Sequence, residues 1–186
     1  GRMTPPERHL FLVGFRGCGK STVARLLAER TGVRAIDTDR RIVENAGMSI
    51  REIFERQGES SFRDLETAAI AELTDELPAI VALGGGAILR EENREMLRRL
   101  GVVVRLVASP ETLAERIARD AASTSDRPPL TSLPPVEEVR RLVAEREPLY
   151  RESADVTIDA EAGTPDRIVA TILAEPLVRR LFGHRP

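Results

Sequence analysis

The sequence predicts an α/β fold: a three-layer sandwich with a central five-stranded parallel sheet flanked by helices. Three observations predict it. Five short apolar runs alternate with stretches of helical spacing along the 186 residues. The runs are continuously apolar rather than alternating, as in strands covered on both faces. Residues suited to chemistry follow the first, second and third runs, where ligands collect in open parallel sheets. The length and the 41% hydrophobic content suit one domain with one core.

Each element has its own local reason. Residues 1–8, with Pro5 and Pro6, read as a flexible lead-in, and Gly1-Arg2 before Met3 as a cloning scar. His9 to Gly14 (HLFLVG) is the first strand. Ser21 to Arg30 is a helix with Val23, Leu26 and Leu27 on one face. Arg34 to Thr38 (RAIDT) is the second strand. Arg40 to Ala46, Ile50 to Arg56 and Ser60 to Leu77 are helical; in the last, Phe62, Leu65, Ala69, Ile70 and Leu73 recur near helical spacing. Ala79 to Leu83 (AIVAL) is the third strand and ends in Gly84-Gly85-Gly86. Glu91 to Leu100 is a helix, Val102 to Ala108 a strand, and Pro110 to Asp120 a helix. Ala121 to Pro135 is rich in Ser, Thr and Pro and reads as a loop or lid. Val136 to Arg146 is a helix, Asp155 to Ile158 the fifth strand, and Asp166 to Leu173 the last helix. The expected domain is 9–174, followed by a flexible end over 175–186.

Composition excludes several classes. Charge is abundant at 31% but balanced to a net of -2, so nucleic acid and anionic membranes are not expected partners. Aromatic residues make up only 3%, which argues against a base-stacking surface. The longest apolar stretch, Ala79 to Leu89, contains three glycines and is too short to span a bilayer. No apolar core of a signal peptide stands near the N-terminus. The single cysteine permits no internal disulfide, which fits a reducing cytoplasm. A monomer is expected.

Gly14-Phe15-Arg16-Gly17-Cys18-Gly19-Lys20-Ser21 matches GxxxxGK[ST] between a predicted strand and a predicted helix. Its glycines let successive N–H groups turn inward around phosphates, and the helix N-terminus adds partial positive charge. Lys20 reaches the outer phosphates, and the Ser21 hydroxyl ligates Mg2+. The expected fold is therefore P-loop NTPase-like, binding a nucleoside triphosphate. Lys20 is the only lysine beside 27 arginines. A chain that uses arginine wherever either cation serves has kept a compact ammonium on a flexible stem here. Cys18 reads as a small residue fitting a tight turn, with a redox switch as the alternative.

The third strand ends AIVAL-GGG without the acid that holds metal in regulatory GTPases and motor ATPases, and no Asn-Lys-x-Asp guanine signature exists. The acids follow the second strand instead. Asp37 and Asp39 are two apart, so an extended backbone points both the same way. If the second strand neighbours the first, that way is toward the phosphates. One carboxylate can then assist Mg2+ and the other accept the proton of an attacking hydroxyl, as phosphoryl transfer to an alcohol requires. The competing reading makes both acids helix N-caps before Arg40.

Six ordered blocks now resemble the shikimate kinase family: GFRGCGKST, Asp37-Thr38-Asp39, IFERQGESSFRDLE from Ile53, the triple glycine, RPPL from Arg127, and EREPLYRESAD from Glu145. The resemblance runs from His9 to about Leu173. It implies a nucleoside monophosphate kinase-like fold and ATP-dependent phosphorylation of the 3-hydroxyl of shikimate, with ATP and shikimate as small-molecule partners and Mg2+ as cofactor. By the same resemblance, Gly14, Gly17, Cys18, Gly19, Lys20, Ser21, Thr22 and Arg127 bind ATP, and Ser21 and Asp37 serve the metal. Asp39, Arg63, Gly85, Gly86 and Arg146 bind shikimate. Asp39 is the base, and Lys20 and Arg127 assist catalysis. The resemblance also implies a substrate-binding segment over 38–66 and a lid over 121–135.

The chemistry agrees with that assignment. Guanidinium forks match a carboxylate bidentately, and glycines let a compact ring lie against backbone. Phe54 and Phe62 could wall the apolar ring face or be ordinary core. Arg63 could equally pair with Glu59 or Glu66 one helical turn away. Two departures from the family pattern stand out. A second proline follows Arg127, and Arg16 occupies a place where many relatives carry a small or apolar residue, read here as loop-surface variation. His9 and His184 lack partners at metal spacing. A gluconate kinase, a nucleotide kinase and an inactive ATP-binding module remain as alternatives.

Overall fold

The strand His9–Val13 (β1) is buried along its whole length, and its side chains divide between two cores. Leu10 and Leu12 enter one, and Phe11 and Val13 the other. The period of two along a strand produces this division, and it explains why the run carries no polar face.

The computed structural model describes residues 6–123 and 135–183. After β1 come α1 (Lys20–Thr31), β2 (Ala35–Asp37), α2 (Thr38–Ala46), α3 (Ile50–Glu72) with a 3-10 turn at Leu73–Asp75, and β3 (Ile80–Ala82). They are followed by α4 (Glu91–Leu100), β4 (Gly101–Val107), α5 (Pro110–Ser123), α6 (Val136–Ser153), β5 (Val156–Asp159), α7 (Pro165–Ala174) and α8 (Pro176–Leu181). The five strands form one parallel sheet in the order β2-β3-β1-β4-β5. Val23 and Leu27 of α1, Leu113 and Ile117 of α5, and Ile168 and Ile172 of α7 cover one face. Ile70 of α3, Leu97 of α4 and Tyr150 of α6 cover the other. A smaller core of Ile42, Ile53, Phe62 and Ala69 joins α2 to α3. The predicted three-layer sandwich is the observed one.

Several expectations are corrected. The two helices expected over 50–77 are present and meet at a kink, where Gly58 takes a non-helical φ of 84° and ψ of 168°, but the second ends at Glu72 rather than Leu77. Helix α6 continues past Arg146 to Ser153, through Pro148. Within the flexible end expected over 175–186, Pro176–Leu181 is instead a helix, and its Val178 and the following Phe182 are fully buried. Val178, Leu181 and Phe182 fill the core beneath α7, and that burial outweighs the entropy of ordering a short segment. β2 does not neighbour β1, because β3 lies between them.

His9 is a structural residue. The Ala79 N–H donates to its Nδ1 at 3.0 Å, so the ring proton sits on Nε2 and donates to the Leu73 carbonyl at 2.8 Å. This buried imidazole fastens β1 to the chain entering β3. His184 lies outside the described residues. No described helix is long and apolar enough to cross a membrane.

Candidate active site

A cleft of about 830 Å3 opens at the carboxyl ends of β1, β2 and β3. One end is built by the loop between β1 and α1. Gly17 and Gly19 take φ of 87° and 95°, which a side chain would resist. Gly19 caps α1 without a side-chain hydrogen bond, so the first N–H groups of that helix are left to a ligand. The Lys20 ammonium donates to the carbonyls of Gly14 at 2.5 Å and Phe15 at 3.2 Å. Ser21 and Thr22 line the cleft beside it. Cys18 is buried, and a Cβ on Gly14 would stand only 2.7 Å from its sulfur. That close packing fits the small-residue reading of Cys18.

Asp37 both meets Ser21 of the phosphate loop and caps α2. Its Oδ2 accepts the Ser21 hydroxyl at 3.0 Å, and its Oδ1 accepts the Arg40 N–H at 3.2 Å, which caps α2. The route to the phosphate loop is not the one expected from adjacent strands. It runs through Ser21 on α1, across the intervening β3. Asp39, unlike Asp37, is not on the strand; it lies in the first turn of α2. Its Oδ1 would stand 2.6 Å from a Cβ on Gly84, and Glu66 Oε2 would stand 2.9 Å from the same atom. Two carboxylates therefore occupy the space that a side chain at 84 would need.

Arg63 pairs along its own helix and also lines the cleft. Its Nη1 donates to Glu66 Oε1 at 2.6 Å and its Nη2 to Glu59 Oε1 at 3.4 Å, as one-turn neighbours on a helix can. The guanidinium nevertheless faces the cleft, 5.4 Å from the Phe62 ring centre and hard against Gly86. On the other side Arg146 Nη1 donates to the Gly85 carbonyl at 3.2 Å, with its guanidinium 5.5 Å from the Phe15 ring centre. The two arginines thus flank the glycine loop. Phe54 and Phe62 line the same end, 5.0 Å apart between ring centres.

Some residues of the site were not singled out by sequence. Glu66, three after Arg63, figured only as a helix neighbour. Its side chain is 3% exposed and lines the cleft. Burial pushes its carboxyl above the usual range, the Arg63 guanidinium pulls the other way, and the Asp39 charge adds to the rise. Arg116 and Arg119 of α5 line the phosphate end, and Arg116 Nη1 donates to the Gly17 carbonyl at 3.4 Å. Among so many arginines nothing in the sequence marks these two. Arg16 is corrected from loop-surface variation, since it lines the cleft and its Nε is buried. Arg127 and residues 124–134 of the expected lid lie outside the described residues.

Comparison with known proteins identifies the family and agrees with the fold. The family model described as shikimate kinase matches residues 16–176. A shikimate kinase of Rhodopirellula baltica is 45% identical over 166 residues, covering 89% of each chain. The solved structure of an Acinetobacter baumannii shikimate kinase in complex with shikimate superposes with a TM-score of 0.82 at 39% identity, covering 92% of each chain. A gluconokinase from Sinorhizobium meliloti, at 22% identity and a TM-score of 0.59, shares the fold alone.

Proposed function

The chain belongs to the shikimate kinase family, and we propose that the cleft residues described above carry out that family's reaction. The chain is a kinase that transfers the terminal phosphoryl group of ATP to the 3-hydroxyl of shikimate. One observation supports the residue roles best. A phosphate-gripping end (Gly17, Gly19, Lys20, Ser21) and a carboxylate-gripping end (Arg63, Arg146, Gly85, Gly86) share one cleft, which Asp39 also lines, against Gly84.

The roles follow from the chemistry of each group. The backbone N–H groups of the P-loop and the Lys20 ammonium hold the phosphates, with Gly14, Cys18 and Thr22 completing that loop. The family's use of ATP implies a metal ion, and the oxygens of Ser21 and Asp37, 3.0 Å apart, suit Mg2+. Mg2+ takes few protein oxygens and leaves the rest of its shell to phosphate and water. When bound, it neutralises charge on the phosphates. Arg63 and Arg146 grip the planar carboxylate of shikimate, and the Gly85–Gly86 backbone lets the ring approach. Asp39 accepts the proton of the attacking hydroxyl. Positioning and charge neutralisation contribute most of the rate and the base less. Arg127, in the lid expected over 121–135 (of which 121–123 belong instead to α5), would close on the phosphates and exclude water. We further propose one domain that begins at 9 and extends past 174 to include the buried Val178 and Phe182, with 38–66 as its substrate segment, acting as a monomer in a reducing cytoplasm. Light scattering at assay concentration that gave a dimer mass would refute the monomer.

A coupled ADP-release assay with shikimate, gluconate, quinate and nucleoside monophosphates tests the function. Turnover with shikimate is expected. Turnover only with gluconate or a nucleotide refutes it, and tight ATP binding without any turnover identifies an inactive module. Asp39→Asn should retain ATP binding and lose most of kcat. A kcat within about threefold of the parent would remove Asp39 as the base.

A further inference from the structure

Every backbone carbonyl from Gly84 to Leu89 has a donor. Those of Gly84 and Gly86 accept the N–H groups of Ala87 at 3.0 Å and Leu89 at 3.1 Å. Asn93 of α4 donates to the Ala87 carbonyl at 2.9 Å. Arg94 donates to those of Ile88 at 2.9 Å and Leu89 at 3.0 Å. The Gly85 carbonyl is fastened from α6 instead, by the Tyr150 hydroxyl at 2.6 Å and Arg146 Nη1 at 3.2 Å. Arg146 and Tyr150 are one helical turn apart, which is why both reach one oxygen.

Tyr150 is not free to move. It is 1% exposed and packs in the core beneath the glycine loop. The Arg105 guanidinium lies 5.0 Å from its ring centre, and Arg105, buried on β4, holds Glu147 of α6 through Nη1–Oε1 at 2.9 Å. Burial pushes the phenol up to about 12, so the hydroxyl remains a donor throughout any practical assay range.

We infer that Tyr150 is a positioning residue for the carboxylate end of the site, acting through the Gly85 carbonyl. In a trans peptide the C=O and the following N–H point in opposite directions, and no described peptide is cis. Drawing the Gly85 carbonyl down onto Tyr150 turns the Gly86 N–H up toward the cleft. The same hydroxyl shares the carbonyl with Arg146, which reaches it through Nη1 and also stands beside the hydroxyl itself. The remaining N–H groups stay available to a carboxylate. Without the hydroxyl, the Gly85–Gly86 peptide can tilt toward Arg146 and engage more of it. This inference rests on the reading of the cleft as the shikimate site.

Tyr150→Phe keeps the ring in the core and removes only the hydroxyl. The loss of one net hydrogen bond should raise the KM for shikimate about five-fold, with kcat and the KM for ATP within about two-fold. The Gly86 amide resonance should move in a 15N–1H spectrum, while those of Gly17 and Gly19 stay in place. A shikimate KM within about 1.5-fold of the parent overturns the inference. So does a parallel rise in the KM for ATP, which would mean general loosening. If the parent itself does not use shikimate, the functional reading fails, and the spectrum then decides the coupling. An unmoved Gly86 amide overturns it in either case.

Discussion

Replacing Gly86 by alanine tests the arginine grip through the space that holds it. A Cβ at this position would lie 2.2 Å from Arg63 Nη1, 2.5 Å from Cζ and 2.7 Å from Nη2. Ordinary heavy-atom contact begins near ~3.5 Å, so the guanidinium must retreat by more than about an ångström. Gly86 has no left-handed φ, so alanine is conformationally acceptable there. What moves is the end of a flexible side chain rather than a backbone wall. Gly→Ala at a compatible site stabilises by about 0.4–1 kcal/mol, and the disturbed Arg63–Glu66 pair offsets that. The melting temperature should therefore shift by only a few degrees. Binding should suffer far more. A hydrogen bond to a charged group contributes about 1.5–3 kcal/mol, so losing this grip raises the KM for shikimate roughly ten- to hundred-fold. The KM for ATP should not change, because the phosphate loop is untouched. Steady-state kinetics with both substrates varied, together with a thermal melt, checks this. A shikimate KM within about two-fold of the parent would refute the role of Arg63. A melting temperature lower by more than about 10 °C would refute the argument that only a side-chain end must give way.

Asp37→Asn keeps an oxygen for the Arg40 N–H but loses the carboxylate charge beside Ser21. The Mg2+ concentration for half-maximal rate should rise while the melting temperature holds; Asp37→Ala should also lose the α2 cap, about 1 kcal/mol. An unchanged metal requirement in both variants would eliminate the metal role. Glu66 supplies a pH prediction. Its carboxyl is raised by burial, against the pull of Arg63 and Arg146 and with the push of Asp39. The folded state therefore binds this proton more tightly than the unfolded state does. The contribution of Glu66 to stability is then fully present below the ordinary value of 4.5 and is lost as pH rises through the raised value. Urea unfolding from pH 4.5 to 8 should show the parent's stability, relative to Glu66→Gln, falling with pH over that window; a rise would reverse the sign of the argument.

Local pattern carried a large part of this protein. Continuous apolar strands, the full P-loop motif and the lone Lys20 were readable because each depends on neighbours in the chain. Asp37, Asp39, Arg63 and Arg146 were readable as members of ordered blocks. Their geometry was not. The expected side-by-side acids of an extended strand became an N-cap and a first-turn residue, because α2 begins one residue after Asp37. The alternatives posed for Asp37 and Arg63 turned out to be compatible, since one side chain can cap or pair locally and still face a cleft.

What the sequence determined by itself was the class of chemistry: a phosphate loop, two acids and two blocks that carry arginines. Tertiary structure alone decided that Glu66 is buried between Arg63 and Asp39 and that Arg16 and Arg116 line the phosphate end. It also decided that Tyr150 holds the glycine loop from beneath and that Val178, Leu181 and Phe182 belong to the core. The physical reason is the range of the interactions. Motif and periodicity record contacts within a turn or a strand. Burial and its electrostatic consequences depend on which distant segments the sheet order brings together, and composition does not encode that order.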